Sequence, residues 1–311
     1  MNGQQAVTIF EKTRPRLTRL AYRMLGSLSE AEDVVQDAYM RWHRTDREAV
    51  REPAAFLTRV VTRLCLDVKG SARARRETYV GPWLPEPIIE RFGGTDEAEI
   101  DADELTFSLM VALESLSPLE RAAFLLHDIF GEPFETVAET INREEAACRQ
   151  LAARARAHIR AQKPRYTLSR QEGRALAEAF FQASTSGDVG KLQQLLARDV
   201  AIHADGGGRV VATINPIRGL EKAGRLYAGL AAKPSDGAAQ LIEIVSIDGL
   251  PGFIARDRWG VLYTVALDII EGKIRTVYVT RNPDKLRHIA GTRGLEQDAF
   301  KWTRLRRSFE S

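Results

Sequence analysis

Arginines are concentrated in one predicted helix that runs from about Glu144 to Arg160. Its apolar residues recur at helical spacing, which leaves Glu145, Arg149 and Gln150 on the outward face near the N-terminal end. Arginine can pair with guanine, glutamine with adenine, and glutamate can accept a hydrogen bond from cytosine. The pattern predicts base contacts, and a solvated basic face on an ordinary helical bundle is the alternative. The other arginines suit phosphate contacts: Arg143, Arg154, Arg156 and Arg160.

The residues before this helix predict a helix-turn-helix. Ser117 and Glu120 form a capping-box pattern that starts a helix running to about Ile129. A short helix from Phe134 to Thr140 follows, and Asn142 occupies the tight turn before the arginine-rich helix. Asparagine enters left-handed backbone space at modest cost, so it is compatible with this turn. We therefore expect the outward residues of the arginine-rich helix to face the major groove.

A second polar surface is predicted on a helix near the N-terminus. Ser29 and Glu32 form another capping-box pattern, and the helix that follows places Val35 and Trp42 on its apolar side. A polar face with a central methionine is typical of a docking surface, and a plain solvated helix face is the alternative. The residues on this polar face are Asp33, Gln36, Asp37, Met40 and Arg41.

Basic and aromatic side chains share one side of the next predicted helix, which runs from Ala54 to about Lys69 and leads into a basic stretch ending at Arg76. Such a surface suits separated DNA strands, because basic groups neutralise phosphates and unstacked bases find an aromatic ring. The alternative is that Phe56 is simply buried. The candidate DNA contacts are Phe56, Arg59, Arg63, Lys69 and Arg73.

The 311 residues are 44% hydrophobic and 28% charged, which is enough for two or three folded domains. Prolines and glycines between Tyr79 and Asp96 predict a linker after an N-terminal helical domain. Beyond Pro164, helices at about 170–185 and 189–198 precede short alternating runs, which predict an α+β domain with a mostly antiparallel sheet. The predicted strands are 210–214, 241–247, 253–259, 261–270 and 273–280.

Composition gives expectations about location and metals. The net charge is only +3, so local basic stripes matter more than the total to a polyanionic partner. Cys65 and Cys148 lie in helical patterns far apart in the sequence and are expected to be reduced thiols of a cytoplasmic protein. There is no export signal and no run of about 18 apolar residues, so no membrane insertion is expected. The five histidines show no metal-ligand spacing with the cysteines, which predicts no metal and no cofactor.

Residues 31–39, Ala-Glu-Asp-Val-Val-Gln-Asp-Ala-Tyr, resemble region 2.2 of bacterial sigma factors of the extracytoplasmic-function (ECF) type. Residues 54–77 resemble the part of those proteins that opens and reads the −10 promoter element, and residues 116–160 resemble the domain that reads the −35 element. The resemblance implies two partners, promoter DNA and core RNA polymerase through its β′ clamp helices and β flap. It assigns the polar face at 33–41 to polymerase, the candidates at 56–73 to the −10 element and those at 143–160 to the −35 element.

Three further motifs resemble those of a SigJ-like group of ECF sigma factors that carries a fused C-terminal SnoaL-like domain. The chain departs from this family at three positions, which commonly hold Lys at Arg209, Gly at Asn142 and Ser at Glu144. The resemblance implies that the extra domain regulates the sigma factor in cis, with these motifs as its regulatory contacts. The motif residues are Trp83, Leu84, Pro85, Glu86, Pro87, Asp205, Gly206, Gly207, Gly208, Arg209, Asn282, Pro283, Asp284, Lys285 and Leu286.

The fold class implied is multidomain, with two all-α sigma domains, a helical bundle and a helix-turn-helix, followed by an α+β SnoaL/NTF2-like cone-shaped sheet domain. A tethered domain acts at a high effective concentration, so weak contacts of its motifs suffice to bias the two DNA-reading domains. We expect a region 2 domain at 5–76, a proline-rich linker at 77–104, a region 4 domain at 105–163, the SnoaL-like domain at 170–291 and a tail at 292–311.

Two alternatives use the same features. One is a polymerase-independent, ligand-responsive helix-turn-helix regulator whose SnoaL-like domain binds a small apolar molecule. The other is catalysis, because SnoaL-like folds resemble ketosteroid isomerase and an acid/base pair fits their pocket. No titratable group of the domain lies in a diagnostic motif, and a capped strand end explains His203 and Asp205 more simply, so we expect no enzyme. The titratable candidates are His203, Asp205, Tyr263 and Asp268.

Overall fold

Tertiary contacts divide the chain into two compact units. The helical unit comprises Met1–Thr78 and Leu109–Lys163, and the sheet unit comprises Tyr79–Ser108 and Pro164–Ser311. The segment predicted as a linker therefore belongs with the C-terminal domain. The computed structural model describes residues 3–46, 50–77, 79–91, 106–160, 169–233 and 237–295, with side chains at all of these except 3, 71–77, 91 and 160.

The helical unit is built from amphipathic helices, as the sequence periodicity predicts. Phe10, Trp42 and Leu57, one from each of the first three helices, are buried. The indole nitrogen of Trp42 donates a hydrogen bond to the Ala6 carbonyl at 3.0 Å, which satisfies its polar atom inside the core. The helices of this unit are α1 (Gly3–Leu25), α2 (Leu28–Arg44), α3 (Pro53–Glu77), α4 (Phe107–Glu114), α5 (Pro118–Phe124), α6 (Phe134–Ile141) and α7 (Glu145–Arg160).

The start of α2 corrects the sequence analysis. Ser27, and not Ser29, is the N-cap, because its hydroxyl accepts a hydrogen bond from the Glu30 amide at 3.3 Å. Ser29 and the predicted partner Glu32 therefore lie inside the helix. The predicted apolar side is unaffected, since Val35 is buried with the rest of it.

The helix-turn-helix has the predicted local geometry. Ser117 and Glu120 form the capping box, with the Ser117 amide donating to Glu120 Oε2 at 3.0 Å. The helix continues beyond α5 as a π-helical turn, Leu125–Ile129. Asn142 ends α6 with a φ of 52°, the left-handed conformation that the sharp turn into α7 requires. Cys148 of α7 is buried against the rest of the domain, which leaves the opposite face of the helix in solvent.

The sheet unit confirms the predicted α+β class with a mostly antiparallel sheet. Its strands are β1 (Ile89–Arg91), β2 (Leu196–Asp205), β3 (Ile217–Arg218), β4 (Gln240–Ile247), β5 (Leu250–Arg256), β6 (Leu262–Ile270) and β7 (Lys273–Thr280). They form one sheet in the order β1-β4-β5-β6-β7-β2-β3, in which only β2 and β7 pair in parallel. The core between sheet and helices contains Phe180, Phe253 and Leu267. The helices are α8 (Arg170–Ser186), α9 (Val189–Leu195), α10 (Leu220–Ala232) and α11 (Arg287–Thr292).

Several elements of the sheet unit differ from the prediction. The predicted helix at 189–198 ends at Leu195, and β2 follows at once with a burial pattern that does not alternate along its length. The predicted strand at 210–214 is irregular, and its residues Val211 and Ile214 are exposed. The predicted elements do not include α10, α11, β1 or β3. Strand β1 forms because the proline-rich segment pairs with β4, far along the chain. Such strand pairing depends on distant neighbours and not on local propensity.

We expect Asn142→Gly to leave the thermal stability unchanged or slightly raised, because glycine enters the left-handed conformation freely. Asn142→Ala should lower the stability by about 1 kcal/mol, since a Cβ without a polar group is disfavoured in that conformation. Calorimetric melting of the full chain measures both variants. Equal melting temperatures for the two variants would contradict the turn geometry.

Candidate nucleic-acid interface

The outward face of α7 presents the residues predicted to contact bases. Glu145, Arg149 and Gln150 are exposed near the start of the helix. Arg149 forms an ion pair with Glu145 one turn away, and its guanidinium lies 5.3 Å from the centre of the Phe134 ring. An exposed ion pair contributes at most about 1 kcal/mol, so DNA can compete for the arginine.

The side chains predicted to contact phosphates differ in their exposure to solvent. Arg143 is exposed beside the turn, and Arg154 is exposed with Glu120 3.7 Å away. Arg156 is less exposed and pairs with Asp128 at 2.6 Å, which holds its guanidinium against its own domain. The side chain of Arg160 lies outside the described residues.

The predicted docking face of α2 is exposed over its whole length. Met40 is 43% exposed, whereas Val34 and Trp42 on the opposite side of the helix are buried. An exposed methionine among charged groups suits a protein partner, because it supplies an adaptable apolar contact. The exposed residues of this face are Asp33, Gln36, Asp37, Met40 and Arg41.

Two of the predicted DNA-contacting arginines of α3 are bound to the C-terminal end of α6. Arg59 pairs with Glu139 Oε2 at 2.8 Å. Arg63 donates from Nε to the Thr140 carbonyl at 3.0 Å and from Nη2 to the Glu139 carbonyl at 2.8 Å. A helix C-terminus carries a partial negative charge, so it favours a guanidinium at this position. In this conformation the helix-turn-helix domain occupies both arginines.

Lys69, the next predicted DNA contact of α3, is buried in this conformation. It is only 7% exposed and lies 3.5 Å from Glu114 Oε2, because α4 places this carboxylate against α3. Glu114 also pairs with the buried Arg121 at 2.5 Å, so a local charge network holds the lysine away from solvent. Phe56 is half-buried, with its ring centre 5.8 Å from that of Trp42, and is presented only in part. The side chain of Arg73 lies outside the described residues.

The three sequence motifs of the sheet unit converge on the carboxylate of Asp205, which is fully buried at the end of β2. Its Oδ1 accepts hydrogen bonds from the Tyr79 hydroxyl at 2.5 Å and from the Gly207 amide at 3.0 Å. Its Oδ2 accepts from the Leu84 amide at 2.9 Å and from Lys285 Nζ at 2.7 Å. Residues from the linker therefore supply donors to a carboxylate that belongs to the sheet.

Lys285 joins the third motif to the linker. Its ammonium donates to the Leu84 carbonyl and lies 3.9 Å from the centre of the Trp83 ring, close enough for a cation–π interaction. Asn282, at the start of the same motif, donates from Nδ2 to the Tyr79 hydroxyl at 2.9 Å. The linker cluster is the set formed by Tyr79, Trp83, Leu84, Asp205, Asn282 and Lys285.

Tyr79 is the member of the linker cluster that the sequence motifs omit. Burial, and then the charge of Asp205, raise the pKa of Tyr79, so its hydroxyl stays protonated and donates. The sequence carries only an indirect signal for this tyrosine: a buried carboxylate needs donors, and a tyrosine precedes the motif at Trp83. The sequence alone does not show that Asp205 is buried.

The second and third motifs also contact one another directly. Gly207 has a φ of 60°, and a Cβ at this position would lie 2.3 Å from Nδ2 of Asn282. Any side chain there would displace the asparagine that bonds the linker. Arg209 of the second motif pairs with Asp284 of the third at 3.3 Å.

Both ends of the linker are attached to the sheet unit. After the linker cluster, the Ile88 amide donates to Asp248 Oδ2 at 3.0 Å, and β1 then pairs with β4. At its C-terminal end, the Phe107 amide donates to the Asp248 carbonyl at 2.9 Å. One aspartate in the turn between β4 and β5 thus binds the chain on both sides of residues 92–105. Those residues lie outside the described residues.

Comparison with known proteins decides the family. Residues 9–77 match the family Sigma-70 region 2, and residues 106–159 match Sigma-70, region 4. The chain is 37% identical to the ECF RNA polymerase sigma factor SigJ of Mycobacterium tuberculosis, over 90% of this chain and 92% of that protein. The chain belongs to the ECF RNA polymerase sigma factors.

Two further similarities extend over most of this sigma factor. A Mycobacterium tuberculosis protein described as a probable ECF RNA polymerase sigma factor SigI is 32% identical over 88% of the chain and 92% of that protein. The crystal structure of Mycobacterium tuberculosis SigJ superposes with a TM-score of 0.71 at 33% identity, covering 90% of this chain and 98% of that chain. The predicted family and the order of two helical sigma domains before a sheet domain are confirmed.

As an ECF sigma factor, the protein is a transcription initiation factor and not an enzyme. The four titratable candidates of the sheet unit are affected mainly by burial or by hydrogen bonds to the linker. Burial lowers the pKa of His203 and raises the pKa of Asp268 and of Tyr263, whereas Asp205 is committed to the linker cluster. In the described part of the chain no group of three or more His, Cys, Asp or Glu residues could hold a metal ion.

The thiols and helices complete the description of the sigma factor. Cys65 and Cys148 are both buried and free, and burial raises the pKa of each thiol. Buried protonated thiols are poor nucleophiles, so neither cysteine is reactive in this conformation. Among the helices described, none has the length and apolar character needed to cross a membrane.

Asp205→Asn should lower the free energy of unfolding of the sheet unit by about 3 kcal/mol, because it leaves the Lys285 ammonium buried without its carboxylate. Amide hydrogen exchange across 79–91 should accelerate, since the Leu84 amide loses a charged acceptor. Asp199→Asn is the matched control, because its 3.4 Å ion pair with Arg275 is exposed, and it should change neither quantity. Unchanged exchange in Asp205→Asn would contradict the role given to this carboxylate.

Proposed function

We propose that this ECF sigma factor directs core RNA polymerase to −35 and −10 promoter elements in the cytoplasm, and that its sheet unit regulates it in cis. The regulatory part rests on one observation, the linker cluster. There the sheet unit binds the segment that connects region 2 to region 4. A domain that holds this segment controls how the two DNA-reading regions are joined.

The attachment of both linker ends gives this control a physical basis. Region 2 ends with α3 at Glu77, and the linker cluster begins at Tyr79. The chain leaves the sheet unit again at Phe107 and Ser108, where α4 begins. A free chain of this length would let the two regions separate widely, whereas a bound chain limits the distance between the end of region 2 and the start of region 4. Release of the linker therefore changes the separations that the two regions can adopt.

The α2 face, α3 and α7 take the three recognition roles. The exposed face around Met40 docks on the β′ clamp helices, and region 4 docks on the β flap while α7 reads the −35 element. Reading of the −10 element by Arg59 and Arg63 requires both to leave the end of α6. The compact helical unit is thus the state before promoter binding, and polymerase supplies the contacts that replace it.

The alternative is a polymerase-independent regulator that responds to a small apolar ligand. The sheet unit contains a largely apolar cavity, which favours binding of such a ligand whether or not the protein acts with polymerase. Dependence on polymerase separates the two proposals, since the alternative requires tight duplex binding by the isolated protein and no transcription with purified core enzyme.

Arg149→Ala should relax the preference at one −35 position by about tenfold, because a bidentate base contact discriminates by about 1 to 3 kcal/mol. Arg154→Ala, on the same helix and exposed, should weaken promoter binding equally at all sequences and reduce its salt dependence. Binding of the reconstituted holoenzyme to a set of single-base promoter variants measures both. A uniform effect of Arg149→Ala would place this arginine on phosphate.

Ending the chain after Arg293 should change transcription by the reconstituted holoenzyme less than ending it after Arg281, because the shorter chain lacks Asn282 and Lys285. The point variant Lys285→Met should reproduce the larger effect without a truncation. Lys191→Met is its control, since this lysine is exposed in a 3.6 Å ion pair with Asp188.

Equal effects of the two truncations, or of the two lysine variants, would contradict regulation through the linker cluster. A different outcome would contradict the proposal that the protein directs core RNA polymerase to promoters. That outcome is no promoter-specific transcription by the full chain or by any variant, at any promoter that the protein binds.

A further inference from the structure

An aromatic ring of α6 lies beside Arg149, the arginine of α7 proposed to contact a −35 base. The ring belongs to Phe134, the first residue of α6, and its centre is 5.3 Å from the guanidinium carbon of Arg149. The left-handed residue Asn142 turns the chain so that α6 packs against α7, which brings the two side chains together. A guanidinium is attracted to the face of an aromatic ring, so this is a cation–π contact.

The Phe134 ring is itself held in place by a second ring. His127, in the π-helical turn, stacks on Phe134 with ring centres 3.8 Å apart and planes at 24°. Nδ1 of His127 lies 2.9 Å from the Glu132 carbonyl oxygen, which can only accept, so this nitrogen carries a hydrogen and donates. The Glu132 amide donates in turn to the Leu126 carbonyl at 2.9 Å. The backbone of the turn thus fixes the imidazole, and the imidazole fixes Phe134.

These contacts of His127, Phe134 and Arg149 lie entirely within region 4. They do not depend on region 2, so they persist when polymerase separates the two regions. Phe130, four residues before Phe134, has the opposite arrangement. Its ring centre lies 5.5 Å from the guanidinium carbon of Arg16 and 5.3 Å from that of Arg23, both in α1 of region 2. Phe130 therefore offers a matched phenylalanine that contacts arginines of the other region.

An arginine discriminates between bases only if its guanidinium is well placed. The side chain has many rotamers, and pairing with both acceptors of guanine requires one of them. The side chains of Arg149 and of its ion-pair partner Glu145 are 57% and 46% exposed, so the ion pair alone is a weak restraint. The carboxylate also occupies a donor of the guanidinium, whereas a contact with a ring face uses none. The ring can therefore hold Arg149 while its donors bond a base.

We infer that Phe134 is a positioning residue for −35 recognition: its ring, fixed by His127, holds the guanidinium of Arg149 in place before DNA binds. The inference rests on the proposed function, in which α7 reads the −35 element. On DNA the guanidinium exchanges Glu145 for the base and keeps its contact with the ring. Phe134 itself reads no base, so its loss lowers discrimination at the position read by Arg149 and at no other.

Binding of the reconstituted holoenzyme to promoters with single-base changes in the −35 element tests this role. Phe134→Leu should reduce the preference at the position read by Arg149 about threefold, and Phe134→Tyr, which keeps a ring, should restore it. In the Arg149→Ala background, Phe134→Leu should reduce this preference no further, because the ring then has no guanidinium to hold. Phe130→Leu is the matched control and should leave the preference at every position unchanged.

A measurement without DNA separates the positioning of Arg149 from its base contact. In the full chain with isotope-labelled arginine, Phe134→Leu should lower the NMR order parameter of the Arg149 Nε–H bond and remove the shift that the ring imposes on its resonance. Phe134→Tyr should preserve both quantities, and Phe130→Leu should change neither.

Equal weakening at every −35 sequence by Phe134→Leu, or an unchanged order parameter at Arg149, overturns the inference. A further loss of preference from Phe134→Leu in the Arg149→Ala background also overturns it. Failure of the proposed function gives a different pattern: Arg149→Ala weakens binding uniformly, although Phe134→Leu still lowers the order parameter. That pattern overturns the base contact, and with it the discrimination assigned to Phe134, while the ring contact itself stands.

Discussion

The hydrogen-bonded carboxylate of Asp205 is the interaction on which the sheet unit depends. A buried carboxylate is costly unless donors surround it, and the sheet itself provides only the Gly207 amide and the Lys285 ammonium. The remaining donors, the Tyr79 hydroxyl and the Leu84 amide, come from the linker. Binding of the linker is therefore part of what stabilises the end of β2, and the two cannot be separated without leaving a buried charge short of partners.

The helical unit contrasts with this arrangement because some of the contacts between its two sigma regions are exposed and weak. Arg59 and Glu139 form an ion pair that is partly exposed on both sides, and exposed pairs contribute at most about 1 kcal/mol. Arg63 bonds helix-end carbonyls that water can satisfy equally well. These contacts cost little to break, whereas the buried network of Lys69, Glu114 and Arg121 joins the same two regions more firmly. The linker cluster, which is also buried, is more durable than the contacts of Arg59 and Arg63.

The sequence predicted those features that follow from local rules. Capping at Ser117, the left-handed turn at Asn142 and the exposed faces of α2 and α7 depend on residues within a few positions of one another. The resemblance to a known family supplied the three motifs, although not the carboxylate on which they converge. The sequence does not show that Lys69 is buried beside Glu114, which is distant in sequence, nor that β1 pairs with β4. Side chains that meet only through tertiary packing leave no periodic signal.

Buried polar groups are satisfied unevenly in the described part of the sheet unit. Around Asp205 both carboxylate oxygens have two donors each, and even the linker tyrosine has a second partner in Asn282. By contrast, Thr213 Oγ1, Asp268 Oδ1 and Arg281 Nε are buried without a hydrogen-bond partner among the described residues. A buried carboxylate is tolerated only when donors surround it, so the complete set of donors at Asp205 is what allows this charge to hold the linker at the end of β2.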